Sequence, residues 1–270
     1  MKKGLVLSRK QDLHSIQRFL SEAPACGVDL MIDSPENILL KIETYADFDF
    51  AIPRFGTYEL PTSLQCLQQL EKRGVPSLNS ARDIEFLKDK LSFALAMSNL
   101  NLPTPLTYPV SQAESLSWPF IVKPRRGSKG EGIELMKSKN QWQKWQSENT
   151  STDFIVQEYI SSSHGMDLRI HILNQNIVGA HKRLSQNQDF RSNLAQGGRP
   201  EPHHLTEREI ELALQLSRHF PNSKWLGLDL LFSERGPLLL EANTSPGFLG
   251  LETSNHLNMA RLVLQTACDL

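Results

Sequence analysis

Two acidic residues and an amide interrupt the apolar segment 224–247, KWLGLDLLFSERGPLLLEANTSPG. The segment predicts a β-hairpin with a turn at SERG, in which Asp229 lies in the first strand and Glu241 in the second. A hairpin centred on Arg235 places Asp229, six residues before it, opposite Glu241, six residues after it. Side chains alternate along a strand, so Asn243 projects from the same face as Glu241.

This arrangement of polar groups predicts a metal site. Two facing carboxylates repel, and burying an unpaired charge is costly, so a cation is expected between them. Two carboxylates and an amide oxygen are suitable ligands for Mg²⁺. The apolar neighbours favour a covered sheet over the alternative, a surface hairpin whose acids face water. The predicted magnesium ligands are Asp229, Glu241 and Asn243.

A second candidate site is the glycine-rich segment RRGSKGEG at 125–132, which lies between the apolar runs PFIVKP and IELMK. A loop that joins two strands differs from a Walker loop, which joins a strand to a helix. The three glycines let backbone N–H groups approach a ligand, and the three basic side chains attract anions. Phosphate is therefore the expected ligand, with a merely flexible hairpin loop as the alternative.

Other polar residues interrupt predicted strands or precede glycines. Lys123 lies within a strand, where its ammonium requires a partner. In DLRIHIL the polar residues Asp167, Arg169 and His171 alternate with apolar ones, so one face is polar. The run DFRSNLAQGGR at 189–199 concentrates donors and suggests an anion contact. The histidines lack the spacing of a helical zinc site and are expected to be solvated or hydrogen-bonded; they are His171, His181, His203 and His204.

The first 80 residues alternate short strands with helices, which predicts a small parallel α/β domain. Strands are expected at 5–7, 28–32, 48–53 and 75–78, and helices at 12–20 and 62–72. Arg54 follows the third strand at the edge where open α/β sheets bind ligands, although a solvated loop arginine is the alternative. One helix is expected over 81–99, with a domain boundary nearby and antiparallel strand pairs after Trp118. Thr206 and Glu209 form a capping box for a further helix.

Size and composition exclude several classes of protein. The chain has 270 residues, 39% of them hydrophobic and 22% charged, and a net charge of -1, so nothing attracts it globally to nucleic acid or a membrane. Its three distant cysteines predict no disulfide framework or thiolate metal cluster, which fits a reducing cytoplasm. We expect no signal peptide and no membrane span, because no apolar run approaches ~20 residues.

Taken together, these motifs resemble the ATP-grasp ligases, and in particular the RimK-type glutamate ligases that extend the C-termini of ribosomal proteins. The resemblance covers nearly the whole chain, through IPRFGT at 52–57, DKLSF at 89–93, VKPRRGSKGEGI, VQEYI, GMDLRI, RSNLAQGG and GLDLLFSERGPLLLEANTSPGFLGLE. It implies an α/β and α+β protein with the ATP-grasp fold. A pre-ATP-grasp, Rossmann-like α/β domain at 1–84 precedes an ATP-grasp domain at 85–270, whose two α+β subdomains, about 107–182 and 183–270, clasp ATP.

The resemblance also implies roles for individual residues. Arg191, Ser192 and Asn193 would bind phosphate and the reacting carboxylate, with Arg191, Arg169 and Asn193 as catalytic candidates. Asp229, Glu241 and Asn243 would hold two Mg²⁺ ions, for which Mn²⁺ is a substitute. Glu158 and Tyr159 would present the backbone that binds adenine, and Asp167 would hold the ribose. The remaining nucleotide contacts would come from Lys90, Lys123, Gly127, Ser128, Gly130, Gly132 and Gln157.

The implied activity is an ATP-dependent carboxylate–amine ligase that forms an amide through an acyl phosphate. It would add glutamate or another amino acid to a carboxylate of a protein C-terminus, a peptide or a small molecule, in the cytoplasm. A kinase that phosphorylates a small-molecule hydroxyl, and a non-catalytic ATP-binding protein, are the alternatives. The basic residues 125–129, with Arg54 and Arg183, suggest an acidic substrate. The sequence leaves open whether the chain forms a homo-oligomer, and it predicts no nucleic-acid or membrane partner.

Overall fold

The computed structural model describes residues 1–127, 130–186, 189–192 and 197–270. These residues form three sheets surrounded by helices, a parallel sheet followed by two antiparallel ones. This confirms the predicted change from an α/β to an α+β arrangement along the chain. In the part of the chain that the structure describes, no helix has the length and hydrophobicity needed to cross a membrane.

The N-terminal sheet contains β1 (Lys2–Leu7), β2 (Val28–Asp33) and β3 (Phe50–Pro53) in the order β2-β1-β3. The prediction of a fourth strand at 75–78 is wrong. That stretch runs beside β3 but makes only one parallel bridge, between Ala51 and Ser77. Pro76 has no N–H to donate, so a continuous ladder cannot form there.

Helices cover both faces of the parallel sheet. One face packs on α2 (Pro35–Leu40) and α3 (Leu60–Lys72), and the other on α1 (His14–Glu22). The core on the α1 side is completed by α9 (Met259–Cys268), from the far end of the chain, through Met259, Val263 and Leu264. Trp225 and Phe248 belong to the same core. The N-terminal sheet therefore shares its hydrophobic core with C-terminal segments, which fixes the two parts to each other.

The single helix expected over 81–99 is wrong, because two helices occupy this range. α4 (Ala81–Leu87) ends before Asp89, and α5 (Lys90–Asn99) begins after it. Asp89 has extended backbone angles, and its carboxylate accepts a hydrogen bond of 3.1 Å from the Ser92 N–H. Aspartate is among the preferred residues at this position, because its side chain satisfies a backbone donor that has no partner within the helix.

The first antiparallel sheet contains β4 (Thr107–Pro109), β5 (Phe120–Pro124), β6 (Glu134–Met136) and β7 (Phe154–Glu158) in the order β4-β7-β5-β6. α6 (Lys139–Glu148) packs on it through Trp142 and Trp145. The glycine-rich segment joins β5 to β6, which are antiparallel, so the prediction of a strand-to-strand loop is confirmed.

The second antiparallel sheet contains five strands in the order β10-β9-β8-β11-β12. They are β8 (Met166–Leu173), β9 (Asn176–Leu184), β10 (Arg199–Pro202), β11 (Trp225–Ser233) and β12 (Gly236–Asn243). α5 and α7 (Glu207–Arg218) cover its apolar face, and α7 begins with the predicted capping box of Thr206 and Glu209. α8 (Leu249–Asn255) lies against β9 and β10.

The two antiparallel sheets divide between Glu158 and Met166, earlier than the subdomain boundary expected near residue 183. β8 and β9 form a hairpin with each other, and β8 also pairs with β11, so all three belong to the second sheet. The division of the chain into domains stays a prediction.

The hairpin of β11 and β12 places Asp229 opposite Glu241, as predicted. Its turn, however, is centred between Glu234 and Arg235 and not on Arg235, because Ser233 pairs with Gly236. Leu240 is an extra residue in β12, and this β-bulge restores the predicted pairing beyond it.

Candidate functional site

Residues from both antiparallel sheets line a cleft that encloses roughly 910 Å³ of open space, including its solvent-facing mouth. Most of the predicted site residues lie on its walls, although they come from six separate stretches of sequence. Those in the cleft are Lys90, Lys123, Gly127, Gly130, Gln157, Glu158, Tyr159, Asp167, Arg191, Ser192, Asp229 and Glu241. Gly132, Arg169 and Asn243 are not among its lining residues, and Ser128 and Asn193 lie outside the described residues.

Asp229 is almost fully buried and is held by two arginines. Arg169, opposite it on β8, donates from Nε and Nη2 to the two carboxylate oxygens, each at 2.6 Å. Arg183 on β9 donates to Oδ2 of Asp229 at 2.8 Å and makes two bonds of 2.6 Å to Asp167. The cationic partner that burial of Asp229 requires is therefore present, and it is a pair of guanidinium groups. This pairing also shows what holds Arg169, a residue expected at the reacting centre.

Burial by itself would raise the pKa of the Asp229 carboxyl, but the charges of Arg169 and Arg183 outweigh it and lower the pKa. Burial likewise opposes the charge of Arg183, yet the carboxylates of Asp167 and Asp229 raise the pKa of this guanidinium. The two acids and two arginines consequently form a charged network on the polar face of the five-stranded sheet. A network of this kind fixes side-chain positions through bidentate geometry.

Glu241 has a different environment from Asp229. Its Oε1 accepts a hydrogen bond of 3.1 Å from Nδ2 of Asn243, and no arginine or lysine forms an ion pair with it among the described residues. The Asn243 amide also reaches Oδ2 of Asp229, at 3.3 Å. Three oxygen-bearing groups thus meet at one point beside the cleft, and such a donor set fits a hard divalent cation. Within the described part of the chain, no group of three or more His, Cys, Asp or Glu offers another metal centre.

Lys123 points from β5 into the cleft and is only 4% exposed. Its ammonium donates to Oε1 of Gln157 on β7 at 2.8 Å, and Gln157 in turn donates to Oγ1 of Thr107. The prediction that this lysine requires a partner is confirmed, although the partner is neutral. Burial, followed by the positive charge of Lys90, lowers the pKa of Lys123 to about 7. An anion in the cleft would stabilise its charged form.

Side-chain contacts link the start of helix α5 to the start of the glycine-rich loop. Lys90 Nζ donates to the Gly127 carbonyl at 2.9 Å, and the Asp89 carboxylate binds Arg125 and Arg126 at 2.7 and 3.0 Å. These two arginines were expected to attract an acidic substrate, but the structure pairs both with Asp89. Arg183, expected to do the same, is paired with Asp167 and Asp229, whereas Arg125 and Arg126 share the single carboxylate of Asp89. The preference for an acidic substrate stays a prediction.

Arg191 links the glycine-rich loop to the segment before β10. It donates to Asp189 at 2.7 Å and to the Gly130 carbonyl at 3.2 Å, and its guanidinium lies 5.7 Å from the centre of the Phe190 ring. Ser192, next to it, is buried and lines the cleft. Two of the donors predicted for an anion contact, Arg191 and Ser192, are therefore at the cleft, whereas Asn193 lies outside the described residues. The hydrogen bond that Arg191 donates to Asp189 raises the pKa of Arg191, so this residue is charged.

The cleft has an apolar wall that the sequence analysis did not identify. It consists of Ile121, Ile133, Ile160, Met166, Leu231 and Leu240, close to the backbone of Glu158 and Tyr159. Leu240 and Glu241 are neighbours in sequence and both line the cleft, which the β-bulge permits by breaking the alternation of side chains. No pattern in the sequence predicts a bulge at this position. A flat apolar wall next to polar backbone suits a planar ring with hydrogen-bonding edges.

The expected solvation or hydrogen bonding is wrong for His171 and His181, and the solvated position considered for Arg54 is also wrong. His171 and His181 are buried and stacked, with ring centres 5.7 Å apart, and their ring nitrogens have no hydrogen-bond partner within the described residues. Burial lowers the pKa of both imidazoles, and that of His181 to about 3. The expectation holds for the other two histidines, because His203 lies 2.9 Å from Glu209 and His204 is exposed. Arg54, for which a solvated loop position was the alternative, is buried and 5.2 Å from the centre of the Trp225 ring.

Lys88 is a neighbour of Glu241 that the sequence analysis missed. Burial lowers the pKa of its amine to about 8, and the charge of Glu241 opposes this shift, so the two side chains are close enough to interact. The only sequence signal is its position two residues before Lys90.

Comparisons with known proteins show the family to which the chain belongs. The family model described as RimK-like ATP-grasp domain matches residues 93–266. A probable alpha-L-glutamate ligase of Methanococcoides burtonii is 28% identical, over 96% of this chain and 93% of its own.

Two solved structures have the same fold. The D-alanine--D-alanine ligase of Bacillus anthracis is 15% identical with a TM-score of 0.77, covering 100% of this chain and 96% of its own. The ATP-grasp ligase PsnB, complexed with minimal precursor, Mg and ADP, is 15% identical with a TM-score of 0.73, covering 99% and 97%.

Proposed function

Because the chain belongs to the RimK-like ATP-grasp family, we propose that it is an ATP- and Mg²⁺-dependent carboxylate–amine ligase. It joins an amino acid, with glutamate as the first candidate, to a carboxylate of a protein C-terminus, a peptide or a small molecule. The reaction consumes ATP, and we place it in the cytoplasm. The name of the curated relative supports glutamate as the added residue.

One observation carries this proposal. The facing carboxylates of Asp229 and Glu241 line the same cleft as Lys123 and the glycine-rich loop. A nucleotide bound with its phosphates between these two groups would have cationic and N–H donors on one side and metal ligands on the other. This is the arrangement that phosphoryl transfer requires, because the charge of the phosphates must be neutralised from several directions.

At the nucleotide end, the apolar wall would hold the adenine ring, and the backbone of Glu158 and Tyr159 would bind its edge. Asp167 would contact the ribose. Lys90, Lys123 and the N–H groups of the glycine-rich loop, including those at Gly127, Gly130 and Gly132, would contact the phosphates. Gln157 would orient Lys123 through the hydrogen bond of 2.8 Å between them. Ser128 belongs to the same proposed set by its place in the loop motif.

At the metal end, Asp229, Glu241 and Asn243 would hold Mg²⁺. We propose two ions, with Mn²⁺ as a substitute. When bound, the metal would neutralise the phosphate oxygens and orient the γ-phosphate. Arg169 and Arg183 lower the pKa of Asp229 and keep it ionised, which is the charge state that a metal ligand requires. Glu241 lacks such a partner among the described residues, and it would supply the second negative charge.

The chemistry proposed for this site has two steps. A carboxylate oxygen of the acceptor attacks the γ-phosphorus of ATP, ADP leaves, and an acyl phosphate results. The amine of the incoming amino acid then attacks the acyl carbon, its proton is lost, and inorganic phosphate leaves as the amide forms. Arg191, Arg169 and Asn193 are the proposed donors to the negative charge at the reacting centre, and Ser192 would bind phosphate beside them. Holding acyl phosphate and amine together away from water supplies much of the rate.

Product analysis tests the proposal. The protein is incubated with ATP, Mg²⁺, an amino acid and a panel of carboxylate acceptors, and ADP, phosphate and product mass are measured. A ligase releases phosphate only when acceptor and amine are both present, and the acceptor gains the mass of the amino acid less one water. A kinase would instead leave phosphate on its product, and a non-catalytic protein would release neither; either result would reject the ligase.

A further inference from the structure

The loop at 244–247 follows directly after Asn243 and is held by a residue of the N-terminal sheet. Arg54, at the end of β3, donates from Nη1 to the Pro246 carbonyl at 3.0 Å. Its Nη2 donates to Oγ of Ser15 at 2.7 Å, and the guanidinium lies over the Trp225 ring at 5.2 Å. Arg54 is buried, so these contacts are shielded from water. One side chain thus connects two N-terminal elements with the start of β11 and with the loop that follows β12.

Asn79 makes a second connection to the same hairpin. It is fully buried, and its Nδ2 donates to the carbonyls of Trp225 and Thr244 at 2.7 and 2.6 Å. Its Oδ1 accepts from the Trp225 N–H at 3.0 Å. Trp225 begins β11 and Thr244 is the residue after Asn243. Asn79 therefore fixes the separation of the two strands at the end of the hairpin that lies next to Asn243.

The loop is also in close contact with the sheet beneath it. A Cβ atom added to Gly227 would lie 2.6 Å from Cβ of Pro246 and 3.7 Å from Cδ of Arg169. Gly227 pairs with Asn243 across the hairpin. Pro246 consequently packs directly on β11, beside the arginine that binds Asp229. The loop is held from one side by Arg54 and rests on the sheet on the other.

We propose that Arg54 and Asn79 are positioning residues, through which the N-terminal part of the chain sets the geometry of Asp229, Glu241 and Asn243 as metal ligands. This inference rests on the metal site of the proposed function. Neither residue touches the metal or the substrates, and both act through the backbone on either side of Asn243. Groups that orient metal ligands in this way typically contribute about 10- to 100-fold to metal affinity or activity.

Direct Mn²⁺ binding in the presence of ADP, followed by electron paramagnetic resonance on the full chain, tests this without requiring turnover. Arg54→Met keeps much of the side-chain volume and removes the donors, and we expect Mn²⁺ affinity to fall about tenfold. Arg54→Lys retains one charged donor and is expected to recover part of the loss.

ADP affinity without metal should stay within about twofold of the wild type, because the nucleotide walls do not contact Arg54. Arg9→Met is the matched control, because Arg9 is an N-terminal arginine that binds Glu36 at 2.9 Å away from the hairpin.

Ser15→Ala provides a milder variant if Arg54→Met does not fold, because it removes only one partner of Arg54. We expect about a two- to threefold loss of Mn²⁺ affinity, because the variant loses one hydrogen bond and Arg54 keeps its bond to the Pro246 carbonyl. Unchanged Mn²⁺ affinity in a folded Arg54 variant, or an equal loss in Arg9→Met, overturns the inference while the ligase proposal stands. A wild-type protein that binds no Mn²⁺ overturns the metal site itself, and with it both proposals.

Discussion

The carboxylates of Asp229 and Glu241 face each other across paired strands, yet only Asp229 is neutralised by arginines. Arg169 and Arg183 together make three short contacts with Asp229, whereas the hydrogen bonds that Glu241 accepts among the described side chains come from Asn243. The two carboxylates therefore have different roles. Asp229 maintains the charged network of the sheet as well as one side of the proposed metal site, and Glu241 is available to the metal.

Glu241→Ala should abolish ADP formation, with a loss of at least about 100-fold, and should leave the fold intact. The reason is that the proposed metal site loses its unneutralised carboxylate, while no described ion pair is broken. Turnover and thermal unfolding are measured together. Glu234→Ala, in the exposed turn of the same hairpin, is the control and should change neither. Full activity in Glu241→Ala would refute the metal assignment.

Asp229→Asn should lower the free energy of unfolding by about 3–5 kcal/mol, because it leaves the buried Arg169 without its anion, while Arg183 keeps only Asp167. Glu43→Gln breaks an ion pair with Arg73 in which the glutamate is 78% exposed, and it should cost far less than Asp229→Asn, because water screens an exposed pair. Urea unfolding of both variants and the wild type measures the difference. Equal effects would contradict the buried network.

The same network predicts how the stability of the fold depends on pH. The pKa of Asp229 is lower in the folded protein than in the unfolded chain, so the folded state retains the charge to lower pH. Its contribution is complete above the unfolded pKa of about 3.9 and is lost as pH falls through the folded value. The wild type should therefore lose stability relative to Asp229→Asn only below about pH 4. A difference that already shrinks near neutral pH would argue against this pairing.

Lys123 should take up a proton when ATP binds. Its amine is largely neutral at pH 8, because burial and the charge of Lys90 lower its pKa to about 7, and nearby phosphates would raise that pKa again. Calorimetric titration in buffers of different ionisation enthalpy measures the proton count. We expect uptake at pH 8, less uptake at pH 6, where the amine is already charged, and a smaller uptake at pH 8 in Lys123→Met than in the wild type. Identical counts at both pH values in the wild type would exclude Lys123 as a phosphate contact.

Arg191→Ala should reduce turnover much more than ATP affinity. Arg191 is anchored by Asp189 and by the Gly130 carbonyl at the cleft, where its charge can act on the reacting groups. Loss of one such donor typically costs about 10²–10³ in turnover. Nucleotide binding and single-turnover rates separate the two effects. If turnover is unchanged, Arg191 has no role at the reacting centre.

Several features of the site could be predicted from sequence because they depend on local periodicity. The pairing of Asp229 with Glu241, the glycine loop between two strands and the capping box at Thr206 follow from residue spacing within one hairpin, one loop or one helix turn. The errors at residues 75–78 and at 81–99 were also local. In both cases a single residue, Pro76 or Asp89, overrode the hydrophobic pattern around it.

The tertiary structure decided which charges meet. Arg169, Arg183 and Asp229 lie on three strands that become neighbours only when the five-stranded sheet forms, so their pairing has no signature in sequence spacing. Arg54 looked like a loop residue, and it became buried because α9 and Trp225 complete the N-terminal core from the other end of the chain. Periodicity fixes the face on which a side chain lies, whereas packing between distant segments determines its neighbours, its burial and its pKa.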